Sequence, residues 1–479
     1  MRPETCFTST AERDLLVERA LHVLETTGMR FGRARALDAL SEAGARVDRE
    51  AGVARLPRDL VERTLRALPR EVLLAGATPA DDCLLAPGQV HFVPSGSPTV
   101  TLDFETGEYR PSTLDDVRAS TIVADAMPPV DILWSLVSAT DLPPGRGLFR
   151  ELLTMLAWSD KHIQDEVAEP WQVEPMLAVA EVLCGSLAAF RERPRLSFVC
   201  CPTAPLSIDA PLLDATIGVA RHGAPVVVYP MPIAGATAPL TVAGAVTVNL
   251  AEFLGAATAI ELAAPGSRLI MGAGASLLDM RAATFSFGAL ETALMAATCV
   301  EVAHGLGVPV LAPGLATDAK YGGVQAGYEK ALKGLLVAQA GADLITGGIG
   351  LLSGAGIMSL PQIVIDAEIA AMILRLGEGA AIDADTVQAE TIERLAFRGE
   401  HLKEKDTSRR LRVGEVFLPE VATRLSLEAW RAAGRDEAAA ASARVRELLA
   451  AAAARGPVLA PETIAALERI VASVDTPAG

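Results

Sequence analysis

The sequence predicts an α/β protein built on a (β/α)8 barrel, with an N-terminal helical and β-hairpin extension and a C-terminal helical extension. Three observations predict it. From about residue 130 one unit recurs seven times: a short apolar run, a Gly/Pro-rich loop, then a segment long enough for a helix. Such units in series imply parallel strands, because only a crossover connects them. The units repeat at roughly 30–40 residues, which suits a (β/α)8 barrel. The chain before them, and the chain after 380, has a different pattern.

In chain order, 11–80 reads as amphipathic helices: "AERDLLVERALHVLETTG" ends at Gly28, and "RDLVERTLRALPREVLLAG" follows. The start, "MRPETCFTSTAERDLLVERA", has no apolar stretch of the kind a secretory signal needs, and a cytoplasmic location is expected. Between about 88 and 112 the pattern alternates, with turn signals at Ser95-Gly96-Ser97-Pro98 and Glu105-Thr106-Gly107, as in a β-hairpin or small meander. The repeating runs are "DILWSLVSAT" (131–140), "KHIQDEV" (161–167), "RLSFVCC" (195–201), "APVVVYP" (224–230), "SRLIMGAG" (267–274), "VPVLAPG" (308–314) and "ADLITGG" (342–348). An eighth strand falls either near 88–94 or after 380, and a doubly wound open sheet would give similar local signals. The apolar region around 238–265 is broken by Asn249, Glu252 and Glu261 and reads as a buried helix, not a membrane span. From 381 the chain is helical and charged. The expected division is 1–112, an N-terminal extension; 113–380, the barrel; and 381–479, a C-terminal helical extension that covers the barrel or dimerises.

Composition excludes several function classes. The net charge of −17 argues against nucleic acid and anionic membranes as partners. Six dispersed cysteines form no C-x-x-C pair, and six histidines, His22, His91, His162, His222, His304 and His401, are scattered. No ligand spacing for a metal is present, so no protein-bound metal is expected. "GAGAS" does not continue as a dinucleotide fingerprint, and "GGIG" makes no Walker motif; tight turns explain both.

In such a barrel the site lies at the C-terminal ends of the strands. "KHIQDEV" supplies His162, Gln164, Asp165 and Glu166; of these His162 and Gln164 are the candidates for substrate contact. Trp134 and Tyr229 are aromatic candidates, with barrel filling as the other reading of each, and Phe285 and Phe287 follow "LLDMR". The loops are rich in glycine, with Gly235, Gly272, Gly274, Gly347 and Gly348 as candidates to face a cofactor, and they hold few ionisable groups. Such a floor suits a large flat cofactor, and a substrate needing no acid–base work. A permanently charged quaternary ammonium, held by aromatic faces and carboxylates, is such a substrate.

Three stretches, "PMPIAGATAPLTVAGAVTVNLAE" (230–252), "TDAKYGGVQAGYEKALKGLLVAQAGADLITGGIGLL" (317–352) and "SLPQIVIDAEI" (359–369), resemble the trimethylamine methyltransferase family. "DFETGEYRPST" (103–113), "HIQDEVAE" (162–169) and "FGALETAL" (287–294) support the match, which runs from about 88 to 430. The resemblance implies a (β/α)8 TIM barrel that takes a methyl group from a methylamine and passes it to the Co(I) of a corrinoid (cobalamin) carried by a small corrinoid-binding partner protein. Pyrrolysine, present in archaeal trimethylamine enzymes of the family, would fall at or next to Tyr321, an ordinary residue here. Members without it resemble glycine betaine methyltransferase and enzymes of similar quaternary amines, so such an amine is the expected substrate. A sulfonium donor, or a non-catalytic ammonium-binding protein, are the alternatives. A homo-oligomer is expected, with no nucleic acid and no membrane.

Under this reading Tyr321 offers its ring to the ammonium, and Asp318 holds the loop or adds negative field; these are the expected catalytic residues. Lys320 pairs with a substrate carboxylate or with Asp318. Gln325 and Glu329 fix the loop to the next helix. Arg281 binds a substrate carboxylate or pairs with Asp279 or Glu291. Tyr328 is expected in the core, and Lys330 on a solvated helix face.

Overall fold

A computed structural model describes residues 6–32, 35–143, 145–434 and 436–474. Eight parallel strands form its centre: β1 (His91–Phe92), β2 (Ile132–Trp134), β3 (His162–Glu166), β4 (Leu196–Cys200), β5 (Val226–Val228), β6 (Leu269–Gly272), β7 (Val310–Pro313) and β8 (Leu344–Thr346). Neighbours pair in register from β2 through to β8, and β8 pairs with β1. The Asp131 N–H donates to Phe92 O at 2.9 Å and joins the two ends of the sheet, closing the barrel. All seven expected runs are strands, and the eighth is the one near 88–94. The division at 112 is corrected by this: β1 belongs to the barrel, so the barrel begins before that boundary.

Alternation along the strands fixes what faces inward. On β3 these are His162, Gln164 and Glu166; across from them stand Ile132 and Trp134, Ser197 and Val199, then Val227. The bottom is plugged by an antiparallel hairpin, Val72–Leu74 with Cys83–Leu85, whose Val72, Leu74, Cys83 and Leu85 pack among the inner-facing Ile132, Val199, Ile270 and Leu344. The sequence had suggested helix here. The helix Arg58–Ala67 ends because Leu68 precedes Pro69 and is extended (ψ 139°), as a residue before proline prefers. The rest, "EVLL", is free to enter the hairpin.

The helix Val242–Ala263 is long and apolar enough to cross a bilayer, yet it is buried, covered by the N-terminal helices Thr10–Thr26, Ala36–Glu42 and Arg58–Ala67. Its polar residues serve the fold: Asn249 donates to Gly272 O (3.0 Å), and Glu252 accepts from the Leu206 N–H (2.8 Å). The C-terminal helices Glu437–Arg455 and Pro461–Ser473 pack on the outside of the barrel, against Leu114–Asp125, Leu360–Glu378, Gly147–Trp158 and Val173–Cys184.

Two small sheets crown that mouth. The expected hairpin, Val100–Leu102 with Tyr109–Pro111, is joined by Ile357–Met358 and Leu351–Leu352 from the loop after β8. Opposite it, Ile233–Ala234, Ser276–Asp279 and Thr284–Ser286 form a three-stranded sheet from the loops after β5 and β6.

Candidate functional site

A cavity of about 490 Å³ opens at the C-terminal end of the barrel, where such folds carry their sites. Trp134 rises from β2 and Tyr229 from the end of β5; both are 6% exposed and line the cavity. Phe285 and Phe287 arrive on the crown sheet, their rings edge to face at 4.1 Å between centroids and 76° between planes. Cys201, Met231, Ile233 and Ser95 complete much of the wall.

One carboxylate faces this apolar space. Glu166 is the last inward residue of β3, and its exposure is to the cavity. Protein surrounds it closely enough that burial raises its carboxyl above the ordinary range. Its carboxylate has no hydrogen-bond or ion-pair partner among the described residues, while its N–H donates to Asp165 Oδ1 (2.8 Å). Burial also pushes up the Tyr229 phenol and the Cys201 thiol, so both are neutral at physiological pH.

The crown is tied down by charge. Asp318 Oδ1 accepts from the Phe287 N–H at 3.1 Å, and its Oδ2 accepts from the Ser286 hydroxyl, so this residue positions the strand that carries both phenylalanines. The Asp318 N–H in turn donates to Glu329 at 2.9 Å, where Gln325 also donates (2.9 Å). Lys333 is buried and donates to the carbonyls of Phe287 and Ala316; burial lowers its ammonium to about 8, opposed by Asp318 and Glu329. Lys330 is fully buried, bound to Asp366 (2.6 Å) and to the carbonyls of Gly348 (2.5 Å) and Leu351 (2.9 Å). The helix Val324–Gln339 thus uses two lysines to hold three loops of the mouth.

Several sequence expectations are corrected. Tyr321 is 67% exposed, lies against Gly323 and does not line the cavity. Lys320 is exposed and donates to Asp318 O (3.0 Å), while Arg281 is 93% exposed beside Asp279 (3.4 Å); neither lines the cavity to meet a substrate carboxylate. Gln325 serves the loop, as the pairing with Glu329 shows, and is exposed. Tyr328 is 52% exposed, whereas Lys330 is the buried residue of that pair. His162 sits at the closed end of the barrel, bonded to Ala75 O (3.1 Å) and Ser197 Oγ (2.8 Å); burial pushes it down to about 3, and it is a neutral core residue. Gln164 lies between, fully buried, its amide oxygen and nitrogen without partners among the described residues.

The glycines divide. A Cβ on Gly272 would overlap the Tyr229 ring, one on Gly274 would stand 2.5 Å from Pro230 O, and one on Gly348 would overlap Leu315 O. These three are glycine so that protein can pack on them, and all are buried. Gly347 lines the cavity, and Gly235 lies beside Met280 and Leu240. With Leu240 56%, Met280 57%, Met231 37% and Phe285 37% exposed, the rim is apolar and fits a flat macrocycle offered from outside, though not one sunk into the floor.

Glu166 is the residue that sequence reasoning passed over. Its signal was present: 162, 164 and 166 share one strand face, and at roughly 3.3 Å per residue Glu166 stands about 13 Å nearer the mouth than His162. Among the described residues no group of three or more His, Cys, Asp or Glu side chains could hold a metal.

Comparison with known proteins agrees with the resemblance. Residues 2–476 match the family described as Trimethylamine methyltransferase (MTTB). Trimethylamine methyltransferase MttB of Desulfitobacterium hafniense is 31% identical over 417 residues, covering 87% of this chain and 84% of the relative. A glycine betaine methyltransferase of the same species is 27% identical, covering 95% and 94%. Among solved structures, the monomethylamine methyltransferase (MtmB) of Methanosarcina barkeri superposes with a TM-score of 0.50 at 13% identity, over 79% of this chain and 83% of that one, which bears on the fold.

Proposed function

The chain belongs to the trimethylamine methyltransferase family, and from that premise we propose that it moves a methyl group from a quaternary ammonium compound, held in the barrel mouth, to the Co(I) of a corrinoid on a small partner protein. One observation carries the choice of donor: four aromatic residues and an unpartnered carboxylate, Glu166, enclose a single apolar cavity. Aromatic faces and a carboxylate attract a cation that has no hydrogen to donate. Tyr321 lies outside the cavity and takes no part in this choice.

Gly235, Leu240, Met280 and Gly347 would hold the corrinoid at the rim, and when bound it supplies a strong cobalt nucleophile. The chain's own part is binding, orientation and exclusion of water. Trp134, Tyr229, Phe285 and Phe287 hold the ammonium, leaving a methyl group toward the open rim. Glu166 balances the charge. No group needs to donate a proton, because a quaternary amine departs as a neutral tertiary amine. Ile382, Phe397 and Leu402, exposed in the segment 381–434, support a homo-oligomer as part of the same reading.

The test mixes the protein with Co(I) cobalamin and methylated amines and follows the loss of Co(I) absorbance. Quaternary amines should consume Co(I), and trimethylamine should not. Turnover of trimethylamine with no response to any quaternary amine would overturn the proposal.

A further inference from the structure

Resting on that assignment of the mouth as the donor site, we propose that this chain selects a quaternary ammonium whose arms carry no negative charge, an alkyl or hydroxyalkyl onium, over a zwitterionic betaine. The charge inventory of the cavity points there. No lysine or arginine lines it. Lys330 and Lys333, which hold the loops of the mouth, are buried and spend their protons on carbonyls and on Asp366. Lys320 and Arg281, the side chains that a substrate carboxylate would need, are exposed elsewhere.

Four of the backbone donors around the cavity are already spent. Of the residues that line the cavity, the N–H of Phe287 is held by Asp318, that of Gly347 by Ser95 Oγ (3.1 Å), that of Gly354 by Thr317 O (2.8 Å) and that of Ile233 by Thr237 Oγ1 (2.8 Å). A carboxylate entering here would lose its water, find no charged donor and face Glu166. The nearby acids, Asp165 and Glu151, are pushed up by burial and add no cation. A cation with neutral arms meets aromatic faces on its surface and one carboxylate. It also restores the ionised form of Glu166, which burial disfavours.

Choline and glycine betaine make the test sharp, because they share a trimethylammonium head and a two-carbon arm and differ in the charge at its end. Isothermal titration of the full chain should include both, with tetramethylammonium, and with 3,3-dimethyl-1-butanol as the uncharged isostere of choline. Choline and tetramethylammonium should bind at least about 10-fold tighter than glycine betaine, and the uncharged isostere should bind weakest of the choline pair. Glu166→Gln should weaken choline and bring it within about threefold of glycine betaine, because the discrimination is electrostatic. Glycine betaine binding as tightly as choline to the unaltered protein would overturn the inference and leave methyl transfer standing. Tight choline binding without any consumption of Co(I) would leave the inference standing and sink the transfer. Absence of binding by every cation would overturn both.

Discussion

Asp318→Ala removes a wall of the cavity without touching the ligand, and its cost follows from two bonds. The carboxylate accepts from the Ser286 hydroxyl and from the Phe287 N–H (3.1 Å), while its own backbone is fixed to Glu329 (2.9 Å). Without it, the Phe287 end of the crown strand is held by Lys333, through that residue's carbonyl, and by Thr292, which donates to Ser286 O at 3.2 Å. A hydrogen bond to a charged acceptor contributes about 1.5–3 kcal/mol, and because Asp318 is half-buried and water replaces part of it, the loss for the pair should be about 2 kcal/mol. The phenylalanines then sample positions away from the cation, and with 1.4 kcal/mol worth a factor of ten, tetramethylammonium should bind about 30-fold more weakly. Isothermal titration measures this directly, with thermal unfolding as the control for the fold. Asp318→Asn keeps the Oδ1 acceptor for Phe287 and should lose less than about threefold. Unchanged binding in Asp318→Ala would refute the positioning role. Equal losses in the two variants would mean that the charge matters and the hydrogen bonds do not.

Tyr321→Ala should leave onium binding within about twofold of the parent, since the ring is outside the cavity, against roughly 30-fold had it formed a desolvated cation–π contact; the same titration decides. Glu252 is buried and its carboxyl is raised to about 7 from 4.5. Between those values the unfolded chain has released a proton that the folded chain keeps, so this group removes stability as pH rises from about 4.5 to about 7. Urea unfolding should accordingly find Glu252→Gln more stable than the parent by about 1–3 kcal/mol at pH 8 and equal to it near pH 4. Lys330→Met strands Asp366 and the carbonyls of Gly348 and Leu351, and should destabilise by about 3 kcal/mol or more in the same assay.

The barrel was legible because runs such as "APVVVYP" are wholly apolar and bounded by loop residues, as strands buried on both faces must be. The eighth strand is illegible in the sequence because it is His91–Phe92, two residues with no periodicity to read. The aromatic wall was partly legible: Trp134 and Tyr229 stand at the ends of recognisable strands. Phe285 and Phe287 reach the mouth through a crown sheet formed by pairing between distant loops, which local pattern does not reveal. Glu166 was hidden by a matter of depth along one strand. Tyr321 misled because an aromatic residue in a glycine loop has no evident packing role, and here it has a mostly exposed position. The helix that follows inverts the usual rule. Its buried residues are Ala326, Lys330, Lys333, Gly334, Val337 and Ala338, while Tyr328 and Leu332 are 52% and 57% exposed. Tyr328 and Leu332 therefore mark an outward face, while Leu335 and Leu336 pack partly on the core and the buried lysines clamp the loops.

The most direct test follows the methyl group itself. The protein is incubated with methyl-labelled tetramethylammonium and Co(I) cobalamin, and nuclear magnetic resonance records the fate of the label while absorbance records the cobalt. Trimethylamine should appear in an amount equal to the Co(I) consumed, and Glu166→Gln should slow both together. Binding of the onium with no trimethylamine formed, or trimethylamine formed at the same rate by Glu166→Gln, would contradict methyl transfer from a cation held in this cavity.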